Sequence, residues 1–329
     1  MSQKVYDAAY EADLAAYFDR MLPEKVYDAH FHINRGYMTW HGLEGEPFPY
    51  YRNFMEKYIG RPIAGGLMMP QPSSKHTKET LRDNNLYNLK VAQEEGFAAG
   101  LIITPGCGRE QTEAYLDTYD CIRVLKPYLC YTAKDWNNRF EADILDFAPE
   151  WMWQLAHDRE LSIMIHLSHY QNMLSEPANY EQIRYLCEKY PKAKLILAHC
   201  AMGHHVRKLR LGLEKIKDIP NIWFDCSGSA ETMSIYYCLK AFGVKKMMYG
   251  GDFDHAATVG RICSFGSNFI GIHDGYLNES AVPPDYRHQP LNNGQECLLA
   301  LLEACELLEL NKEDLEDIFY NNAKALFGR

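Results

Sequence analysis

Short apolar runs alternate with stretches of helical spacing from residue 25 almost to the end of the chain. The apolar runs fall at 25–33, 62–69, 97–104, 121–132, 161–168, 194–200, 221–227 and 245–252. Each is β-branched or aliphatic enough, and short enough, to form a buried strand. Between them, helices are predicted over 80–95, 109–119, 149–159, 180–190, 203–217 and 230–242, with two more, 292–308 and 312–327, closing the chain. Tyr6, Tyr10, Leu14, Tyr17 and Phe18 predict a leading amphipathic helix within residues 1–24. Strand–helix alternation demands a parallel sheet covered by helices. Eight such units fit an α/β fold of the (β/α)8 TIM-barrel type, with an N-terminal helix and C-terminal helices. An open doubly wound sheet would announce a Gly-rich phosphate loop after the first strand, and HFHINRG is not one. A single barrel domain over 25–329, preceded by the leading helix, accounts for the chain. Two connections are long, 34–61 and 253–291, and on a barrel such βα loops shape the substrate site.

Composition narrows the function. The net charge of −10, with 34 basic against 44 acidic side chains, argues against nucleic-acid or anionic-membrane partners. No run approaches the ~18 apolar residues of a membrane span. Ten cysteines are scattered without a CxxC pair and the N-terminus lacks an apolar signal core, so reduced thiols and a cytoplasmic location are expected.

Polar residues appear where apolar strands end. His30 and His32 lie two apart on the first strand and so share a face. His166 falls near the end of the fifth run, His199 ends the sixth and Asp252 ends the eighth. A barrel gathers these ends around one axis. Burying such groups together without a cation or partners costs several kcal/mol. Imidazoles with a carboxylate suit Zn, Mn or Fe.

The stretches DAHFH, MIHLS, ILAHC and YGGDFDH, with the closing DIFYNNAKALFGR, resemble the amidohydrolase superfamily over about residues 25–329. Within it, the chain is similar to the amidohydrolase-related branch that includes aminocarboxymuconate-semialdehyde decarboxylase and lactonase-like hydrolases. The resemblance implies that His30, His32, His166 and Asp252 bind a divalent metal, most simply Zn, and that Asp252 also takes a proton from the attacking water. It implies that His199 binds a second metal or orients water and polarises the substrate carbonyl. Lys126 has three readings: a carboxylated lysine bridging two metals, a cation for a substrate carboxylate, or an exposed strand-edge residue. His169, His204, His255, Arg109 and Arg261 are candidates for substrate binding, the arginines as bidentate carboxylate clamps. The implied activity is metal-dependent hydrolysis of a small ester, lactone or amide, with non-oxidative decarboxylation as the alternative. A small-molecule substrate and a homodimer are expected.

Overall fold

The computed structural model describes residues 8–40, 42–132, 140–273 and 290–328. Eight parallel strands, β1 (Val26–Ile33), β2 (Ile63–Pro70), β3 (Ala98–Ile103), β4 (Ile122–Pro127), β5 (Ser162–Ile165), β6 (Lys194–Leu197), β7 (Ile222–Asp225) and β8 (Met247–Met248), pair in sequence order. The β8–β1 seam is bridged by backbone bonds from Ala29 N to Tyr249 O (2.9 Å), Asp252 N to His30 O (2.7 Å) and His32 N to Phe253 O (2.6 Å). The barrel is thereby nearly closed, and the chain after β8 is pinned against the two histidines of β1.

Alternation along the strands fills the interior. Tyr27, Ala29, Leu67, Met69, Ala98, Val124, Met164, Ile196 and Met248 form one buried cluster, plugged from below by Phe327 of the closing helix. The register of β1 against β2 shifts between Asp28 and Phe31. That irregularity changes the parity of β1, so Ala29 packs in the interior and the adjacent His30 ring still faces the mouth.

Eight predicted strands and eight predicted barrel helices are found, with ends moved by a few residues. The leading helix spans Ala8–Met21 within its predicted segment. The helix predicted from residue 203 starts at Val206, because His199, Cys200, Ala201 and Met202 take φ of 57°, 50°, 60° and 54°. Left-handed backbone costs non-glycine residues about 1–2 kcal/mol each, so this turn needs support from its surroundings. The closing helix is broken into Lys312–Glu316, a π-turn over Asp317–Asn321, and Asn322–Phe327. The 34–61 connection holds helices Arg35–Trp40 and Pro47–Ile59, and the 253–291 connection begins with a hairpin, β9 (Gly260–Phe265) and β10 (Asn268–His273). Neither was legible as periodicity. All ten cysteines are free. Among the described residues no helix is long and apolar enough to cross a membrane.

Candidate metal centre

Four side chains meet at the C-terminal mouth. His30 Nε2 and His32 Nε2 are 3.3 Å apart, and Asp252 Oδ1 stands 3.8 Å from the first and 3.7 Å from the second. His199 completes the group: one ligand atom from each of His30, His199 and Asp252 can be chosen with all three within 4.8 Å of one another. His166 stands next to it, its ring centroid 5.1 Å from that of His199 and flanked by Tyr128 and Tyr170.

The opposite ring nitrogens are tied to acceptors. His32 Nδ1 donates to Pro70 O at 2.9 Å, His199 Nδ1 to Ser227 O at 2.8 Å, and His30 Nδ1 lies 3.2 Å from Asp225 Oδ2. A proton on each Nδ1 leaves each Nε2 with a bare lone pair. Burial holds His32 down to about 3, with the neighbouring His30 adding to the effect. Burial likewise lowers His166 and His199. Burial alone would raise Asp252, but the imidazoles of His199, His30, His255 and His32 outweigh it and hold the carboxyl below its usual range. Neutral imidazoles beside an ionised carboxylate are the protonation states a divalent cation requires. Bare lone pairs 3.3 Å apart repel each other unless a cation lies between them, so the residues present fit a metal.

Lys126 sits at the end of β4, fully buried, and its Nζ has no hydrogen-bond partner among the described residues. Burial lowers it to about 8, against the pull of Asp225 and Asp252. The exposed strand-edge reading of Lys126 is therefore corrected: Val124 belongs to the interior cluster, and two residues on the side chain points inward again.

The centre opens into a cavity of about 910 Å³. The two long connections contribute Asn34 and Gly36 on one side and Asp254, His255, Thr258 and Ile262 on the other. His204 and His255 line it, and among the described residues His204 Nδ1 and His255 Nε2 are buried without a hydrogen-bond partner. The other three substrate-binding candidates lie elsewhere. Arg109 is spent on Glu113 (3.0 Å) and Asp158 (2.8 Å) at the outer helices. Arg261 donates to Ala230 O (2.6 Å) and pairs with Glu296 (3.3 Å). His169 pairs with Asp143 at 3.1 Å. A second cavity, about 250 Å³, between helices Lys78–Glu95 and Arg109–Thr118 holds none of the candidate residues.

Sequence reasoning missed Asp225, Ser227 and Asp28. Asp225 and Ser227 end β7 in FDCS, the same strand-end position that marked the others, but without a histidine to draw attention. Asp28 accepts from Gly251 N (2.8 Å), His30 N (3.1 Å) and Tyr51 Oη (2.9 Å), stapling β1 to the segment after β8. Burial raises it to about 7 despite those donors.

The class the fold and site define is a nearly closed (β/α)8 barrel whose C-terminal mouth carries a cluster of imidazoles and a carboxylate that could hold a metal. The chain belongs to the amidohydrolase family, whose profile matches residues 27–329. No curated protein matches its sequence. Among solved structures, an amidohydrolase from Burkholderia multivorans with bound zinc is similar at 12% identity and a TM-score of 0.58, covering 92% of this chain and 98% of that one. The 2,6-dihydroxybenzoate decarboxylase from Rhizobium is similar at 11% identity and 0.52, covering 93% and 99%. The 5-carboxyvanillate decarboxylase from Sphingomonas paucimobilis is similar at 9% and 0.54, with the same coverage. At such identities the likeness is one of fold.

Proposed function

We propose that the protein is a divalent-metal-dependent hydrolase of a small carboxylic ester, lactone or amide. His30, His32, His199 and Asp252 would hold the ion, with His166 and Lys126 beside a second position. Zinc, bound in the Burkholderia structure, or Mn or Fe, would polarise the substrate carbonyl and make hydroxide available at neutral pH. Asp252 Oδ2, the oxygen turned toward His199 at 4.0 Å, is placed to accept a proton from the attacking water and to return it to the leaving group. His204 and His255, which line the cavity, offer ring nitrogens to the far end of the substrate.

The observation that carries hydrolysis over decarboxylation is the buried Nζ of Lys126, which has no hydrogen-bond partner among the described residues and has the Tyr128 ring 5.8 Å away. A bare buried amine is costly, and its lowered proton affinity leaves a nucleophilic fraction near neutral pH. Carboxylated by carbon dioxide, with loss of one proton from the amine, the side chain would become an anion able to help hold a second cation, which hydrolysis could use and decarboxylation does not need. The second reading is supported by the two decarboxylases among the similar folds. Against it, among the described residues the cation lining the cavity is Lys75 rather than an arginine, so a substrate carboxylate would meet a single ammonium and not a bidentate clamp.

The deciding experiment presents zinc- and manganese-loaded protein with lactones, esters, amides and aromatic acids, following proton release from the lactones and esters, amine release from the amides, and carbon dioxide in parallel. Proton or amine release without carbon dioxide, lost together with one of two metals in Lys126→Ala, is expected. Carbon dioxide release from an aromatic acid, unaffected by Lys126→Ala, would make the protein a decarboxylase.

A further inference from the structure

The last polar residue of β7 touches the candidate centre from behind. Asp225 is fully buried. Its Oδ2 faces His30 Nδ1 at 3.2 Å. Its Oδ1 accepts from His199 N at 3.2 Å and from Ser227 N at 3.1 Å, and also from Ser227 Oγ. Ser227 Oγ in turn stands 3.2 Å from His30 Nδ1 and 3.0 Å from His199 Nδ1. One carboxylate thus holds the ring of one histidine and the backbone of another, on strands that are remote in sequence.

We infer that Asp225 is a positioning residue for the metal centre: it fixes His30 with its proton on Nδ1, so that the Nε2 lone pair faces His32 and Asp252, and it seats His199 in its left-handed turn beside Asp252. The inference rests on the metal-dependent reading above. A carboxylate can only accept, so the nitrogen facing it must be the protonated one. The partner behind a ligating imidazole also raises the basicity of the ligating nitrogen and commonly sets metal affinity by 10–100-fold. The second contact matters as much. His199 begins four consecutive left-handed residues, and its amide donates to Asp225 at the point where the chain leaves β6. That acceptor fixes the backbone of His199, while Ser227 O holds its ring.

The substitution Asp225→Asn separates these roles from simple packing, since the amide is isosteric but can donate. An NH2 turned to His30 Nδ1 would drive the ring proton to Nε2 and block the lone pair. Two measurements test this. The first is nitrogen NMR of imidazole tautomers in the metal-free protein, with His30 assigned through His30→Gln. The Nδ1–H form is expected in the wild type and in Ser227→Ala, and the Nε2–H form or a mixture in Asp225→Asn. The second is zinc affinity by chelator competition, expected to fall 10–100-fold in Asp225→Asn with kcat recovering at saturating zinc. Wild-type His30 carrying its proton on Nε2 would overturn the inference without recourse to any variant. So would Asp225→Asn binding zinc within twofold of wild type. Wild-type protein that binds no zinc, manganese or iron would instead defeat the metal-dependent reading, and the tautomer result would stand apart from it.

Discussion

His30 Nε2 and His32 Nε2 face each other at 3.3 Å, each with its other nitrogen held by an acceptor, Asp225 for the first and the Pro70 carbonyl for the second. Two residues apart on a strand, the rings share a side. The contacts behind them turn that shared side into two lone pairs converging on the same space, with Asp252 Oδ1 less than 4 Å from both.

Purified protein prepared without chelator should therefore carry at least one divalent transition metal. Elemental analysis checks this, and His30→Ala combined with His32→Ala should remove most of it. A stoichiometry near zero that Zn, Mn and Fe all fail to restore would end the metalloenzyme reading.

Asp252→Asn should keep the fold and most of the metal but lose roughly 10²–10⁴-fold in turnover, the usual worth of a positioned general base. Because its surroundings hold the carboxyl below the ordinary range, the acid limb assigned to Asp252 should lie below about pH 4. Turnover close to wild type with metal bound would assign the proton transfer to another group, His199 being next in line.

Lys126 should make stability depend on pH in a defined direction. In the metal-free, carbon dioxide-free protein its amine is held at about 8, against 10.5 when free. Between those values the unfolded chain binds more protons, so stability rises with pH. Below pH 8 the penalty of burying a charge is present in full; above 10.5 it is gone. The rise attributable to Lys126 is about 3 kcal/mol, seen as the difference between wild type and Lys126→Met in urea unfolding. Parallel curves for the two proteins across that window would refute it.

Arg109→Ala should leave turnover and metal content unchanged. Its pairs with Glu113 and Asp158 lie at 39% exposure on the outer helices, where such bridges contribute less than about 1 kcal/mol. A rise in KM of tenfold or more would return Arg109 to the substrate site.

Much of the architecture was legible because it depends on local periodicity. Eight apolar runs separated by amphipathic segments define eight strand–helix units whatever their exact ends, since buried parallel strands and covering helices leave opposite signatures in the sequence. The candidate centre was partly legible for the same reason. His30, His32, His166, His199 and Asp252 stand at strand ends, and barrel closure gathers strand ends. Lys126 stayed open among three readings, because only the structure shows Val124 in the interior and Lys126 buried two residues on.

The tertiary structure decided what periodicity does not encode. Hydrogen bonds between β1 and the segment after β8 bring Asp252 against His30 and His32. The register shift in β1 turns His30 toward the mouth, and the left-handed turn at His199 swings a ring that strict alternation would have misplaced. Arg109 and Arg261 resembled carboxylate clamps, but each is paired with an acid that only folding brings near, Asp158 for the first and Glu296 for the second. Asp225 carried no motif, and its meaning lies wholly in contacts with strands remote in sequence. Sequence specifies which groups can do chemistry and on which face of each strand they lie. Which nitrogen carries the proton, and which cation is already spent, depends on distances of a few ångströms that exist only once the barrel has closed.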